Sequence, residues 1–257
     1  MDKSDMIKIV KKQLAIDFNC KESDFDSGEV VVTEIAKNEG RIMYEDREQG
    51  MYACCFGGSA VFSVLPEMVG GIRKLLEGKS PEWIFQPKTL VMLTEQLYLH
   101  GYNIDDMHQY YVPDPSLPKT EPLFGVEWIE RDFEKYKGAP GANEALGFDK
   151  NAPDVLAVAA KENGKIIGMA GASADSPLLW QIGIGVAPEY RGMGVAANLV
   201  ALLKDAVLER GKVPYYGSAV SHTLSLSTGV AAGFFPCWTR ITSKQRNDEF
   251  VGIHENR

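Results

Sequence analysis

Residues 186–200, VAPEYRGMGVAANLV, set a proline, an arginine and two closely spaced glycines between an apolar run and a helical one. Those residue types suit an anion. Gly192 and Gly194 carry no Cβ, so the backbone there is able to close around a ligand with its amides, from about 191 to 196, pointing inward. The helix expected from about Gly194 to Arg210 adds the positive end of its dipole. Arg191 supplies a full charge at the mouth. Two other readings compete. The turn could be a plain strand-to-helix connection, as glycine-rich turns often are. Residues 192–197 also fit the GxGxxA pattern of a dinucleotide site. That last reading fails on context, because such sites put the glycines directly after the first strand and an acidic residue about 20 positions on. Here residues 188–191 intervene, and the following strand, PYYGSAV, ends without Asp or Glu.

The elements that must hold this turn follow from periodicity. Met6, Val10 and Leu14 are spaced four apart, with Ile7 and Phe18 beside them, which predicts an amphipathic helix over 5–18. Strand-like runs follow: VVTEI, RIMYE (41–45), MYACCF and SAVFSVL, the last two joined by Gly57-Gly58, a two-residue hairpin signal. Helices are expected from Pro66 to Gly78 and from Pro87 to Gly101, each with proline first and glycine at the end. MHQYYVP reads as a short aromatic strand on which His108 and Tyr110 share a face. VPDPSLPKTEP, 112–122, holds four prolines and no apolar periodicity, and is the natural linker.

Beyond it the pattern restarts. LFGVEWIE predicts a strand, RDFEKYK and NEALGF short helices, and DVLAVAAKENGKIIGMAGAS two strands about Asn163-Gly164. LLWQIGIGVAP is a strand, VAANLVALLKDAVLERG a long helix with a broad apolar face, PYYGSAV a strand, SHTLSLSTGVAAGF a helix and PCWTRIT a last strand. The expected class is α+β, a mixed α/β chain with an N-terminal α/β domain over 1–113, a linker over 114–121 and a second domain over 122–257.

Bulk properties bound the partners. With 27 Lys+Arg against 35 Asp+Glu the net charge is −8, which speaks against nucleic acid and anionic membrane surfaces. The charged N-terminus lacks the apolar core of a signal peptide, and no apolar run is long enough to span a bilayer. Four cysteines (Cys20, Cys54, Cys55 and Cys237) form no CxxC pair and have no histidine at ligand spacing, so no metal is expected. A cytoplasmic protein with reduced thiols is the natural expectation.

Arg191-Gly192-Met193-Gly194-Val195-Ala196, preceded by Val-x-Pro, matches (Gln/Arg)-x-x-Gly-x-(Gly/Ala). It strongly resembles the acetyl-CoA-binding motif of the GNAT N-acetyltransferase superfamily. The resemblance extends over about residues 122–257 in the order of strands and helices, including Gly233-Phe234 at the close of the last helix. It implies a mixed, mainly antiparallel sheet flanked by helices, in which the fourth strand and its successor splay apart around the pantetheine arm. The fourth strand here is Trp180 to Ala187. Ile184, Gly185 and Val186 would bond pantetheine and the thioester carbonyl, and Arg191 to Ala196 would hold the pyrophosphate. The implied reaction is direct attack of an amine on acetyl-CoA, with a base, oxyanion donors and an acid for the leaving thiolate. An extra domain ahead of such a fold is similar to some bacterial acetyltransferases that modify small amines or antibiotics, and the acceptor is expected to be a small-molecule or peptide amine.

Two departures bear on catalysis. Family members often place glutamate on the fourth strand as base; here that region reads Trp180-Gln181-Ile182-Gly183, and Gln181 serves only to orient a water. Many place a tyrosine four residues before the final Gly-Phe as acid; counting back gives Gly229. His222, where an asparagine commonly occurs, is the candidate substitute as base, acid or pantetheine contact. Ser225 and Ser227 are candidate donors to the thiolate, with Ser225 also a cofactor contact. Glu127 and Asp175 are carboxylates on the acceptor side. The alternative is a degenerate domain that binds acyl-CoA as a sensor or interaction module without turnover.

Overall fold

The structure, a computed structural model, describes residues 1–42 and 49–246. Its described residues fall into two compact units, each assembled from separated stretches of chain. One comprises Met1–Gln13, residues 40–42 and Gln109–Cys237; the other comprises Leu14–Glu39, residues 49–108 and residues 238–246. The expected division at 114–121 is contiguous in sequence, whereas these units interleave. Most of the strand expected over 41–45 lies outside the described residues, and Arg41 and Ile42 are not in a strand.

The second unit is built on β1 (Val30–Glu34), β2 (Met51–Phe56), β3 (Ser59–Val64), the first part of β4 (Tyr102–Pro113) and the later part of β10 (Phe234–Gln245). The strand order is β1-β3-β2-β10-β4, with β1 parallel to β3 and β2 antiparallel to both β3 and β10. Gly57 and Gly58 both have positive φ (56° and 88°), as the twist of a two-residue hairpin demands. Helices α2 (Val69–Leu76) and α3 (Pro87–Leu99) bury Ile72, Leu76, Leu93 and Leu97 against Met51 and Phe62. The helix expected from Pro66 is split, with a 3₁₀ turn over Pro66–Met68 before α2. Helix α1 (Lys3–Asp17) runs from the first unit into the second and buries Met6, Val10 and Leu14, the stripe read from sequence.

The first unit carries β5 (Gly125–Ile129), β6 (Asp154–Glu162), β7 (Lys165–Ser173), β8 (Leu179–Val186), β9 (Val213–Ala219) and the end of β4, in the order β4-β9-β8-β7-β6-β5. Pairings β5–β6, β6–β7 and β7–β8 are antiparallel, and β8–β9 is parallel. A parallel pair needs a crossover, which α5 (Val195–Glu209) provides. Alternation along β6 sorts the two faces. Leu156, Val158 and Ala160 pack with Leu199, Leu203 and Val207 of α5, while Ala157 and Ala159 pack with Ile129, Tyr136 and the short helix α4 (Ala142–Ala145).

Glycines let α4 sit directly on the sheet. A Cβ built on Gly171 would lie 2.4 Å from the Ala145 carbonyl oxygen, and one on Gly183 2.7 Å from the same atom. Gly171 and Gly183 are cross-strand partners, so together they form a bare floor beneath one turn of backbone. No larger residue fits there.

The proline-rich stretch is a strap, not a loose tether. The Asp114 N–H donates to the Gly233 carbonyl (2.9 Å), Thr120 N–H to Asp205 (2.7 Å) and Leu123 N–H to the Asn198 side chain (3.0 Å). Asn198 also donates to the Glu121 carbonyl (2.9 Å), and Lys119 pairs with Glu209. Asn198, Asp205 and Glu209 are spaced to share one side of α5, so the helix offers a polar rail to a segment whose own hydrogen bonds are confined to the turn at Asp114–Leu117.

Asn198 is 7% exposed and satisfies two backbone groups of the strap. Asn198→Ala is expected to cost about 1–3 kcal/mol in urea unfolding; an unchanged midpoint would show that the strap is held without it. Gly171→Ala is expected to lose about 1–3 kcal/mol through collision with the 145 carbonyl. Wild-type thermal stability in that variant would mean that α4 is not seated on the glycine floor.

Candidate functional site

The turn between β8 and α5 is held open by backbone geometry. After a 3₁₀ turn over Pro188–Tyr190, Gly192 and Gly194 take φ of 76° and 82°, the left-handed region that glycine enters without a Cβ penalty. Nothing lies within 4 Å of a Cβ position on Gly192, and residues 191–194 are exposed. The Arg191 amide is taken by the Pro188 carbonyl (3.3 Å), so the outward-facing amides begin at Gly192 rather than at 191. The Asn198 N–H already bonds the Gly194 carbonyl (3.0 Å), which leaves the amides of Val195, Ala196 and Ala197 as the unspent first turn of α5. Val195 itself is buried, its side chain close to Gly168, and anchors that turn to the sheet. The Arg191 guanidinium is tethered by Nε to the Val186 carbonyl (3.3 Å), which keeps the charge beside the loop. The turn thus presents unspent amides and one positive charge at an exposed surface.

Next to it the sheet comes apart. β8 pairs with β9 only over Leu179–Ile182, ending at Ile182↔Tyr216, although β9 continues to Ala219. On its other side β8 stays paired with β7 as far as Val186. From Gly183 to Val186, including the expected contacts Ile184, Gly185 and Val186, one edge of β8 is therefore not used by β9. An edge of that kind accepts an extended polar chain as it would another strand.

Two sets of polar groups flank this fork. On the α5 side the Tyr216 hydroxyl lies 2.7 Å from Ser225 Oγ on α6 (Thr223–Ala231). A Cβ on Gly229 would be 3.0 Å from the Tyr216 ring, so this ring fills the space that a side chain at 229 would enter. Burial pushes the Tyr216 hydroxyl above its ordinary pKa, against the opposing effect of the Ser225 bond, so it keeps its proton through neutral pH.

On the α4 side Gln181 stands opposite Tyr215, one pair before the fork. The Tyr215 hydroxyl donates to Asp175, lies 3.2 Å from the Gln181 amide oxygen, and is buried; Ser173 donates to the other Asp175 oxygen (2.7 Å). Further along that face, a Cβ on Gly185 would lie 2.8 Å from Glu144 Oε2 and 2.4 Å from the Gly141 carbonyl. An exposed carboxylate thus reaches the β8 backbone itself.

The remaining candidates separate. His222 precedes α6 as its N-cap, is exposed, and its ring makes no hydrogen bond among the described residues. Ser227 is exposed on α6. Glu127 is engaged by Lys161 and by the Tyr136 hydroxyl (2.7 Å); the Lys161 bond is the main reason its carboxyl is held below the usual range. Tyr110, read as a strand aromatic, packs its ring 6.0 Å from that of Tyr215. His108 pairs with Asp106 in the second unit. Sequence reasoning passed over Glu144 and Tyr216, the first inside an ordinary-looking short helix and the second inside a strand. Among the described residues no group of His, Cys, Asp and Glu is arranged to hold a metal, and no helix is long and apolar enough to cross a membrane.

Residues 106–223 match the acetyltransferase (GNAT) family model. No curated protein matches the chain. Among solved structures it is similar to a GCN5-related N-acetyltransferase-like protein from Streptococcus suis 89/1591, at 18% identity over 95% of this chain and 99% of that one, with a TM-score of 0.48. An acetyltransferase of the GNAT family from Colwellia psychrerythraea matches at 13% identity over 96% and 98% of the two chains, TM-score 0.44. A GCN5-related N-acetyltransferase from Sphaerobacter thermophilus matches at 17% over 72% of each, TM-score 0.45. Residues 106–223, which hold the glycine turn, the fork and α5, are a GNAT acetyltransferase domain.

Proposed function

We propose that the chain is an acetyl-CoA-dependent N-acetyltransferase that acylates a primary amine of a small molecule or peptide by direct attack. The parting of β8 from β9 beside a glycine turn that opens α5 carries this reading. Acetyl-CoA supplies the activated acyl group as a thioester. Amides of Gly192 to Ala196, with Met193 at the exposed rim and Arg191 beside them, receive its pyrophosphate; the free edge of Ile184 to Val186 receives pantetheine and orients the thioester carbonyl. Gln181, steadied by Tyr215, faces the acceptor. Ser225 contributes through its bond to Tyr216, and this hydroxyl pair protonates the leaving thiolate from the place that Gly229 leaves open. His222 serves at the mouth of the site as a cofactor or acceptor contact. No metal enters this scheme. The 1–113 region, joined through the strap, serves the acceptor side or an interaction. Four cysteines, none of them in a disulfide, support a cytoplasmic setting.

Calorimetry with acetyl-CoA is expected to show binding that weakens about 10-fold in Arg191→Ala, the loss of one charge-assisted contact. Absence of binding, or equal affinity in that variant, would sink the proposal. Free-thiol release on addition of primary amines separates an enzyme from a sensor that only binds acyl-CoA. Tyr216→Phe is expected to lower kcat about 10²-fold with little change in acetyl-CoA affinity. Unaltered turnover would reduce Tyr216 to a packing residue.

A further inference from the structure

The geometry points to Glu144 as the group that binds the acceptor's ammonium and removes its proton. The inference rests on the acetyl-transfer reading above and adds to it a carboxylate and a substrate class. Three observations converge. Position 181 on β8 carries an amide, so the strand itself offers no carboxylate one pair before the fork. Gly183 and Gly185 have no side chains on the α4 side, so nothing of β8 stands between its backbone and that helix. Into this bare space α4 brings Glu144, with Oε2 only 2.8 Å from where a Cβ of Gly185 would be.

The backbone that carries Glu144 is held firmly against the sheet. Residues 141–145 are pressed onto Gly171, Gly183 and Gly185, and Ala142 and Ala145 are buried. Glu144 itself is exposed and has no hydrogen-bond or ion-pair partner among the described residues. Other carboxylates of the neighbourhood are already engaged: Asp175 by Tyr215 and Ser173, Glu127 by Lys161 and Tyr136. Glu144 is thus placed to meet an incoming cation beside the backbone that orients the thioester.

An alkylamine arrives as its ammonium ion; Glu144 takes one proton and releases it to solvent, freeing the nitrogen lone pair. The C–N bond to the acetyl carbon forms and the C–S bond breaks, its electron pair leaving on sulfur. The thiolate takes a proton from the Tyr216–Ser225 hydroxyl pair, and the second nitrogen proton, passed through solvent, restores that pair. An arylamine, neutral at pH 7, needs no such first step, so the acceptor class indicated is the alkylammonium ion.

The test compares wild type, Glu144→Gln and Glu144→Asp with 1,4-diaminobutane, n-butylamine and aniline, following thiol release, alongside calorimetry with acetyl-CoA. Expected is a fall of about 30-fold or more in kcat/KM for the alkylamines in Glu144→Gln. Aniline turnover and acetyl-CoA affinity should be unchanged, and Glu144→Asp should recover part of the alkylamine rate. Equal losses for alkylamines and aniline, unaltered alkylamine turnover, or no alkylamine turnover by wild type would each overturn the assignment while leaving cofactor binding intact. Failure of the wild type to bind acetyl-CoA would instead remove the acetyl-transfer reading on which it stands.

Discussion

Everything proposed for this chain depends on one pairing that stops early. Parallel strands joined through a helix ordinarily stay bonded along their shared length, because an unpaired backbone group inside a protein is costly. Here β8 and β9 part after Ile182 and Tyr216. The edge so freed stays part of the sheet because β7 holds the opposite side of β8 as far as Val186. The helix that links the parted strands begins just beyond the end of β8 at which they part, so its unspent first turn follows directly on the free edge. Opening, cradle and helix are consequences of one topological unit.

The two faces of the sheet then take different tasks. Around α5 the packing is aliphatic, with Leu199, Leu203 and Val207 against β6, and the polar groups near the fork are a tyrosine and a serine. Around α4 the packing is close and backbone-led, because glycines bring the chain within contact of the strand, and the polar groups are carboxylates, an amide and Tyr215. In the proposed reaction, a leaving group that needs a proton and an acceptor that must lose one would be served from opposite sides.

Local features were legible in the sequence and tertiary ones were not. The Gly57-Gly58 and Asn163-Gly164 hairpins, the turn at 188–194 and the stripe of α5 are fixed by residues within a few positions of each other, and all appear where periodicity and turn chemistry put them. The strap escaped because Asn198, Asp205 and Glu209 look like an ordinary solvated side of a helix until their backbone partners are known. Glu144 and Tyr216 escaped for a related reason. An empty position such as Gly229 or Gly185 says only that something comes close; which group does so is decided by the chain's path in space.

The bare floor beneath α4 also bears on how acceptor preference could diverge among relatives or be redirected in the laboratory. Positions 171, 183 and 185 have no room for a side chain, so under the proposed reading the strands cannot vary their surface to suit a new acceptor. Variation is confined to the overlying segment, where Asn143 and Glu144 are exposed while Ala142 and Ala145 hold the seat. Diversification at this site would be written in the outward residues of a single helical turn, on a scaffold that tolerates almost no edits of its own.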